Sequence, residues 1–230
     1  MSDPYVYEGT NVLINLQGIK EQTKLDQFET TMVNLGIIRL LKDFPELNEV
    51  KDIFLIHKIL FENVYEWAGK SRTINVYKHE SILSGLSVEY SAYNKISNNL
   101  KKIQKRINNI KWDKLSKNEI VSQITKIAAS IWQVHTFREG NTRVVTLYIY
   151  YLLKKHGFKL NRDFIGKHAK YFRNALVLAS ICEYSEYEHL EEILKDSISY
   201  KVLKQDKQKK YETIRGYNLE KYKYNYHTTK

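Results

Sequence analysis

Nine consecutive residues, His135-Thr136-Phe137-Arg138-Glu139-Gly140-Asn141-Thr142-Arg143, place a base, a carboxylate, a glycine, an amide and a guanidinium in one short segment. That combination suits phosphate. A helix N-terminus presents unpaired backbone N–H groups and a positive dipole end, and Gly140 would let a phosphate approach the backbone with no Cβ in the way. Arg143, on the first turn of a following helix, can fork onto phosphate oxygens. Glu139 suits Mg²⁺, which is commonly held by one or two carboxylates together with substrate phosphates. His135 is the candidate general base, because an unperturbed imidazole titrates near neutral pH. Taken singly, His135 could be a helix-end dipole partner, Gly140 a turn residue and Asn141 an N-cap. Jointly they point to a nucleotide-phosphate site.

Two helices must hold this segment. Ser116-x-x-Glu119 is a capping-box pattern opening a helix in which Ile120, Ile124, Ile127, Ile131 and Val134 form one apolar stripe, and that helix delivers His135 at its C-terminal end. A second helix is predicted from about Asn141 through Leu147, Ile149, Tyr150 and Leu153, with Gly157 as its C-cap. Upstream, Leu25, Phe28, Met32, Leu35, Ile38 and Leu41 recur at three- and four-residue steps, an amphipathic helix ended by Phe44-Pro45. Asn48 is a candidate cap for another helix, carrying Ile53, Ile56, Leu60, Phe61, Val64 and Trp67 and stopped by Ala68-Gly69. His57 lies on its apolar face and reads as structural. A basic helix over Tyr90–Ile110 presents its lysines as a solvated face, and two further helices, about 167–182 and 186–203, are separated by a second capping box, Ser185-x-x-Glu188.

Between Gly69 and Tyr90 the period changes. Arg72-Thr73-Ile74-Asn75-Val76-Tyr77-Lys78 alternates in polarity and is followed by Ile82-Leu83, which predicts a short hairpin over about Arg72–Leu83. A two-stranded hairpin is barely stable alone, so it must lie on the helical body or pair with something else.

Composition agrees with an all-α class. The chain has 230 residues, 43% of them hydrophobic, enough for a core, while two prolines and nine glycines leave few helix breakers. The organisation expected is one domain over residues 1–200, its core at about 48–160, followed by a basic, Tyr-rich extension at 201–230. That extension holds nine Lys or Arg against three Asp or Glu, more than half of the net charge of +11, so the excess belongs to the tail. No nucleic-acid fold motif accompanies it, and nucleic acid is not the expected partner. No segment approaches 18 consecutive apolar residues and the first twenty lack a signal-peptide pattern, which disfavours a membrane span and a cleaved leader. Cys182 has no partner for an intramolecular disulfide and sits in an apolar run, where it reads as a small buried hydrophobe. A reducing compartment, the cytoplasm, fits best, with export as an effector left open. His79, His156, His168, His189 and His227 are scattered without metal-ligand spacing.

The segment resembles the motif of the Fic family, H-x-F-x-[DE]-G-N-[GK]-R-x-x-R, matched by His135, Phe137, Glu139, Gly140, Asn141 and Arg143. Upstream, Phe61-Glu62-Asn63-Val64-Tyr65-Glu66-Trp67-Ala68-Gly69-Lys70 is similar to the family's approach to its flap. The resemblance covers roughly residues 5–200. It implies a helical domain with a hairpin flap and an enzyme that transfers AMP from ATP to a Tyr, Ser or Thr hydroxyl of a target protein, with diphosphate leaving. Residue by residue, it makes His135 the base, Glu139 the Mg²⁺ ligand, and Gly140, Asn141, Thr142 and Arg143 the lining of the nucleotide-phosphate pocket. Phe137 becomes a core anchor, and Arg72–Leu83 the flap on which a target segment adds as a strand. The family also includes toxins held by a separate inhibitory antitoxin chain, secreted effectors and proteins that self-associate.

Two positions depart from the motif. Thr142 stands where the family has Gly or Lys, which would put a Cβ and a hydroxyl beside the phosphate pocket. Thr146 replaces a second arginine that in the family contacts the γ-phosphate and pairs with an inhibitory glutamate; the pattern carrying that glutamate, [ST]-x-x-x-E-[GN], is absent as well. These departures keep open transfer of a different nucleotide or of phosphate, and a catalytically silent binding role.

Overall fold

The computed structural model describes residues 3–43, 45–199 and 216. Among them eight α-helices form: α1 (Gln22–Asp43), α2 (Ile53–Phe61), α3 (Ile96–Asn108), α4 (Lys117–Val134), α5 (Asn141–Lys155), α6 (Arg162–Lys167), α7 (Ala169–Leu178) and α8 (Glu188–Ser197). The two helices that flank the phosphate-handling segment form the centre. α4 buries its predicted isoleucine stripe and also Val121, Ala128, Ala129 and Trp132. A helix apolar on several sides belongs inside the bundle, and α4 packs against α3, α5, α7 and α8. Ser116 and Glu119 complete the predicted capping box at its start. α5 buries Val144, Val145, Leu147, Tyr148, Ile149, Leu152 and Leu153 between α4 and α2.

α1 closes over α2, and the contact is set by Gly36. A Cβ there would come within 2.7 Å of the Ile59 carbonyl oxygen, so the two backbones meet at a point only glycine allows. This corrects the expected stripe. The buried face of α1 is Leu25, Val33, Gly36 and Leu40, while Leu35 and Ile38 are 55% and 62% exposed. Apolar doublets such as Met32-Val33 and Ile37-Ile38 fit either of two neighbouring faces, and the close approach at Gly36 selects one.

Other boundaries shift for local reasons. α2 ends at Phe61 rather than Trp67, because the chain turns through residues 62–69 and the Gly69 N–H donates to His57 Nδ1 at 2.8 Å. Asn48 does not cap its entry: Asp52 holds the cap position with no side-chain bond to α2, and its carboxylate turns back to accept the N–H groups of Asn48 and Glu49 at 2.6 and 2.8 Å, closing the short turn before the helix. At α8 the second capping box does not form; Tyr187 occupies the cap with no side-chain bond. The expected 167–182 helix is realised as α7, which starts after His168 and ends at Leu178, with the separate short α6 before it, and the continuation of the last helix to 203 lies outside the described residues. Cys182 is exposed with φ +50° at the start of a turn after α7, not buried in a helix.

The one named β-ladder among the described residues is remote from the predicted hairpin. It joins β1 (Lys159–Leu160) to β2 (Ile198–Ser199) as an antiparallel pair that ties the exit of α5 to the exit of α8. Over Arg72–Leu83 no ladder forms. The chain doubles back through the Glu80 N–H, which donates to the Leu86 carbonyl at 3.0 Å, and the Lys78 N–H donates to the Ser87 hydroxyl rather than to a strand. The alternation is nonetheless real: Arg72, Ile74, Val76, Lys78 and Glu80 face inward, and Thr73, Asn75, Tyr77 and His79 are exposed. The segment is thus extended and, among the described residues, without a ladder partner, because its inward side chains bind the body instead.

Candidate active site

The junction between α4 and α5 is made by two left-handed residues. His135, the C-cap of α4, has φ +50° and ψ +58°, a conformation that costs a non-glycine residue about 1–2 kcal/mol. Gly140, the N-cap of α5, has φ +84°, and a Cβ on it would lie 2.4 Å from the buried ring of Phe61. Between them Phe137 is buried, stacked on His57 with ring centroids 3.9 Å apart and edge-on to Phe54 at 5.4 Å. Asn141 closes the loop. Its Oδ1 accepts the Phe137 N–H at 3.0 Å and its Nδ2 donates to the Phe137 carbonyl at 2.8 Å. The amide side chain is consumed by the loop, and only the backbone of Asn141 remains for an anion.

That backbone is suited to one. The first helical bond of α5 runs from the Val144 N–H to the Gly140 carbonyl at 3.0 Å, which leaves the N–H groups of Asn141, Thr142 and Arg143 without an intrahelical acceptor at the positive end of the helix dipole. Thr142 does not intrude. Its hydroxyl accepts the Trp132 indole N–H at 2.9 Å and is drawn onto α4, so the side chain expected beside the pocket is anchored elsewhere. Thr146 bends back on its own helix, donating to the Thr142 carbonyl at 2.8 Å.

His135 is buried, and its two nitrogens differ. Nδ1 lies 3.3 Å from the Trp132 carbonyl oxygen, which makes it the protonated nitrogen, while Nε2 has no hydrogen-bond partner among the described residues. Tyr90 stacks on the ring at 3.9 Å. Burial, then the Lys78 ammonium, depress the imidazole pKa well below its ordinary value, so the ring is neutral with a free lone pair on Nε2. This is the protonation state that a general base requires.

Glu139 is half-buried and ringed by positive groups. Oε2 accepts from Lys78 Nζ at 3.0 Å, and Oε1 accepts the Gly140 N–H at 2.9 Å and lies 3.8 Å from Arg143 Nη2. Burial alone would raise its pKa, but Lys78, the Gly140 N–H and Arg143 outweigh it and hold the carboxyl below the usual range. Among the described residues no cluster of three or more His, Cys, Asp or Glu could enclose a metal ion. A single ionised carboxylate beside an open helix N-terminus fits a Mg²⁺ that arrives with nucleotide phosphates, not one caged by protein.

Arg143 extends over the Phe61 ring at 5.0 Å and is gripped from α1: its Nη2 donates to Glu29 Oε1 at 2.7 Å, and the Tyr65 hydroxyl donates to the other Glu29 oxygen. Glu29, Lys78 and Arg72 are site residues that the sequence reading did not single out. Each had a signal: Glu29 is a carboxylate on the Leu25–Val33 face of a helix, and Arg72 and Lys78 are charges at inward positions of an alternating segment. His57 is structural, as expected. It accepts the Gly69 N–H on Nδ1, lies 3.2 Å from the Glu139 carbonyl through Nε2, and burial lowers its pKa to about 3, fixing it neutral.

A left-handed turn bearing a neutral imidazole, a carboxylate and an open helix N-terminus sits at the centre of a helical domain. The family model described as Fic/DOC family matches residues 47–153. The probable protein adenylyltransferase y4lH of Sinorhizobium fredii is 30% identical over 172 residues, covering 71% of this chain and 81% of the relative. The chain belongs to the Fic/DOC family. It is similar also to the protein adenylyltransferase VbhT of Bartonella schoenbuchensis, at 30% identity over 168 residues, 70% of this chain, and there spans only a third of the relative's length. The fold matches the N-terminal FIC domain of Bep8 from Bartonella sp. 1-1C, with TM-score 0.69 at 22% identity over 84% of this chain and 93% of that one. It matches BepC from Bartonella tribocorum, solved with bound AMPPNP, with TM-score 0.68 at 23% identity over 85% and 96%. No helix among the described residues is long and apolar enough to cross a membrane.

Proposed function

We propose that this chain is a protein adenylyltransferase that moves AMP from ATP to a Tyr, Ser or Thr hydroxyl of a target protein. The observation that carries the reading is the buried, neutral His135 whose Nε2 has no partner among the described residues, placed one loop away from an ionised Glu139 and the open end of α5. Nε2 takes the proton of the target hydroxyl as its oxygen bonds to the α-phosphorus and the bond from that phosphorus to the bridging oxygen of the β-phosphate breaks, releasing diphosphate. The N–H groups at the start of α5 and the Arg143 guanidinium bind phosphate oxygens. Glu139 would hold Mg²⁺, which would supply neutralisation of the phosphate charge. The relatives named adenylyltransferases support the activity class.

The target segment adds along the outer edge of residues 73–77. Among the described residues Ile74, Asn75 and Val76 make no backbone–backbone hydrogen bond, and an open cavity of about 490 Å³ lies beside them, bounded by Asp3, Tyr77, Tyr93 and Arg138. An extended segment whose Asn75 and Val76 backbone is not engaged in a ladder among the described residues is suited to strand addition, although the Ile74 carbonyl is taken by Arg72 and the Thr73 N–H by the Tyr5 hydroxyl. A second reading, transfer from a donor other than ATP, is favoured by Thr146, whose hydroxyl is bound to its own helix where the family places a cation.

The test is incubation with Mg²⁺ and ATP labelled at the α-phosphate, with and without lysate, beside His135→Ala and Glu139→Ala. Label on protein, lost in both variants, is expected. Label that survives His135→Ala refutes the base assignment. ATP binding without label turns the question to other nucleotides and then to a binding-only role.

A further inference from the structure

Arg72 is 2% exposed, and among the described residues its guanidinium meets no carboxylate. Every contact is to backbone carbonyl oxygens: Nε donates to His135 at 2.7 Å, Nη1 to Ile74 at 2.5 Å, and Nη2 to Ser91 and, at 3.4 Å, to Val134. Its own backbone N–H donates to the Thr136 carbonyl at 2.9 Å. One residue therefore binds three consecutive carbonyls, Val134, His135 and Thr136, across the left-handed turn that ends α4.

A buried guanidinium ordinarily sits against a carboxylate. Here the negative end of the α4 dipole takes that place. Burial lowers the Arg72 pKa to about 10, so the charge persists at neutral pH. The turn needs such a clamp because His135 has a Cβ, disfavours φ +50°, and its backbone orientation sets where the imidazole points. Lysine could not substitute: its ammonium is a single point with three donors, whereas these carbonyls are reached by a planar fork of donors that point in different directions.

We propose that Arg72 is the positioning residue of the base, holding the His135 turn in the one conformation that aims Nε2 at the target hydroxyl. The assignment rests on the reading of His135 as general base. Because Arg72 also begins the extended segment whose outer edge is offered to the target, the same residue fixes the distance between docked target and base.

Arg72→Lys keeps the charge and removes the fork. The expected result is a kcat for AMP transfer reduced about 10²-fold, the loss typical of an angstrom-scale misplacement, with the Kd for Mg·ATP within about two-fold of the parent chain because the α5 end is untouched. The His135 ring Cε1–H resonance, identified by its absence in His135→Ala, should shift. An unchanged kcat overturns the proposal. So does a parallel collapse of nucleotide affinity and thermal stability, which marks Arg72 as a general structural residue. Should Arg72→Lys not fold, Arg72→Gln, with amide donors and no buried charge, is subject to the same criteria. If the parent chain transfers no AMP at all, the proposed function fails separately, and an unshifted His135 resonance in Arg72→Lys would still overturn the positioning role.

Discussion

Replacing Gly140 with alanine perturbs the loop through one methyl group whose surroundings are known. Two costs combine. The backbone at φ +84° is one that an L side chain rarely adopts, worth about 1–2 kcal/mol. The new Cβ would stand 2.4 Å from Cε2 and 2.5 Å from Cζ of Phe61, a ring fully buried and stacked on His57 at 4.6 Å, so relief requires moving a packed aromatic, worth about 1–3 kcal/mol. Together, Gly140→Ala should destabilise the chain by roughly 2–5 kcal/mol, lowering Tm by about 6–15 °C for a domain of this size. Arg143 lies over the same ring at 5.0 Å, so nucleotide affinity should fall with stability. Urea unfolding and calorimetric titration with Mg·ATP measure the two. A double-mutant cycle with Phe61→Leu isolates the clash: the pair should recover at least about 1 kcal/mol relative to the sum of the single variants. Strict additivity, or a Gly140→Ala chain as stable as the parent, would refute the close approach.

Other perturbations follow from neighbouring contacts. His57, with its pKa lowered to about 3, binds no proton in the folded state between pH 3 and 6.5, where the unfolded chain does; its contribution is complete above pH 6.5 and is lost as pH falls. Moving from pH 7 to 5 should therefore cost about 2 kcal/mol from this residue alone, a part of the acid sensitivity that His57→Gln removes in urea titrations at both pH values. Glu80, 1% exposed, is held by both Arg173 amino groups at 2.6 and 3.0 Å and by the Tyr90 hydroxyl. Arg173→Ala, which strands a buried carboxylate, should cost about 3 kcal/mol and exceed Glu80→Gln, with the reverse order in chemical unfolding counting against the pair. Lys78→Met removes the ammonium that occupies Glu139 Oε2, and calorimetry should show a divalent cation with nucleotide binding about five-fold more tightly, equivalent to about 1 kcal/mol for a partly exposed ion pair. Weaker binding would mean that Lys78 holds the nucleotide rather than competing with the cation.

The central part of the molecule was legible from the chain because its determinants are local. The Ser116-x-x-Glu119 box and the isoleucine stripe define α4, Gly140 and Asn141 open α5, and these neighbours in sequence necessarily put His135, Glu139 and Arg143 around one loop. Periodicity alone could not choose the buried face of α1, nor tell that an alternating segment would bind the body through Arg72, Lys78 and Glu80 instead of a second strand. The side chains that tune the site come from 50 or more positions away: Glu29 on Arg143, Lys78 on Glu139, Arg72 on His135. Turn chemistry and helical period act within a few residues and so are written in sequence order. Which distant charge meets which donor depends on how the helices pack, and that was decided only in the tertiary structure, where Gly36 admits α1 against α2 and burial removes water as the competing partner.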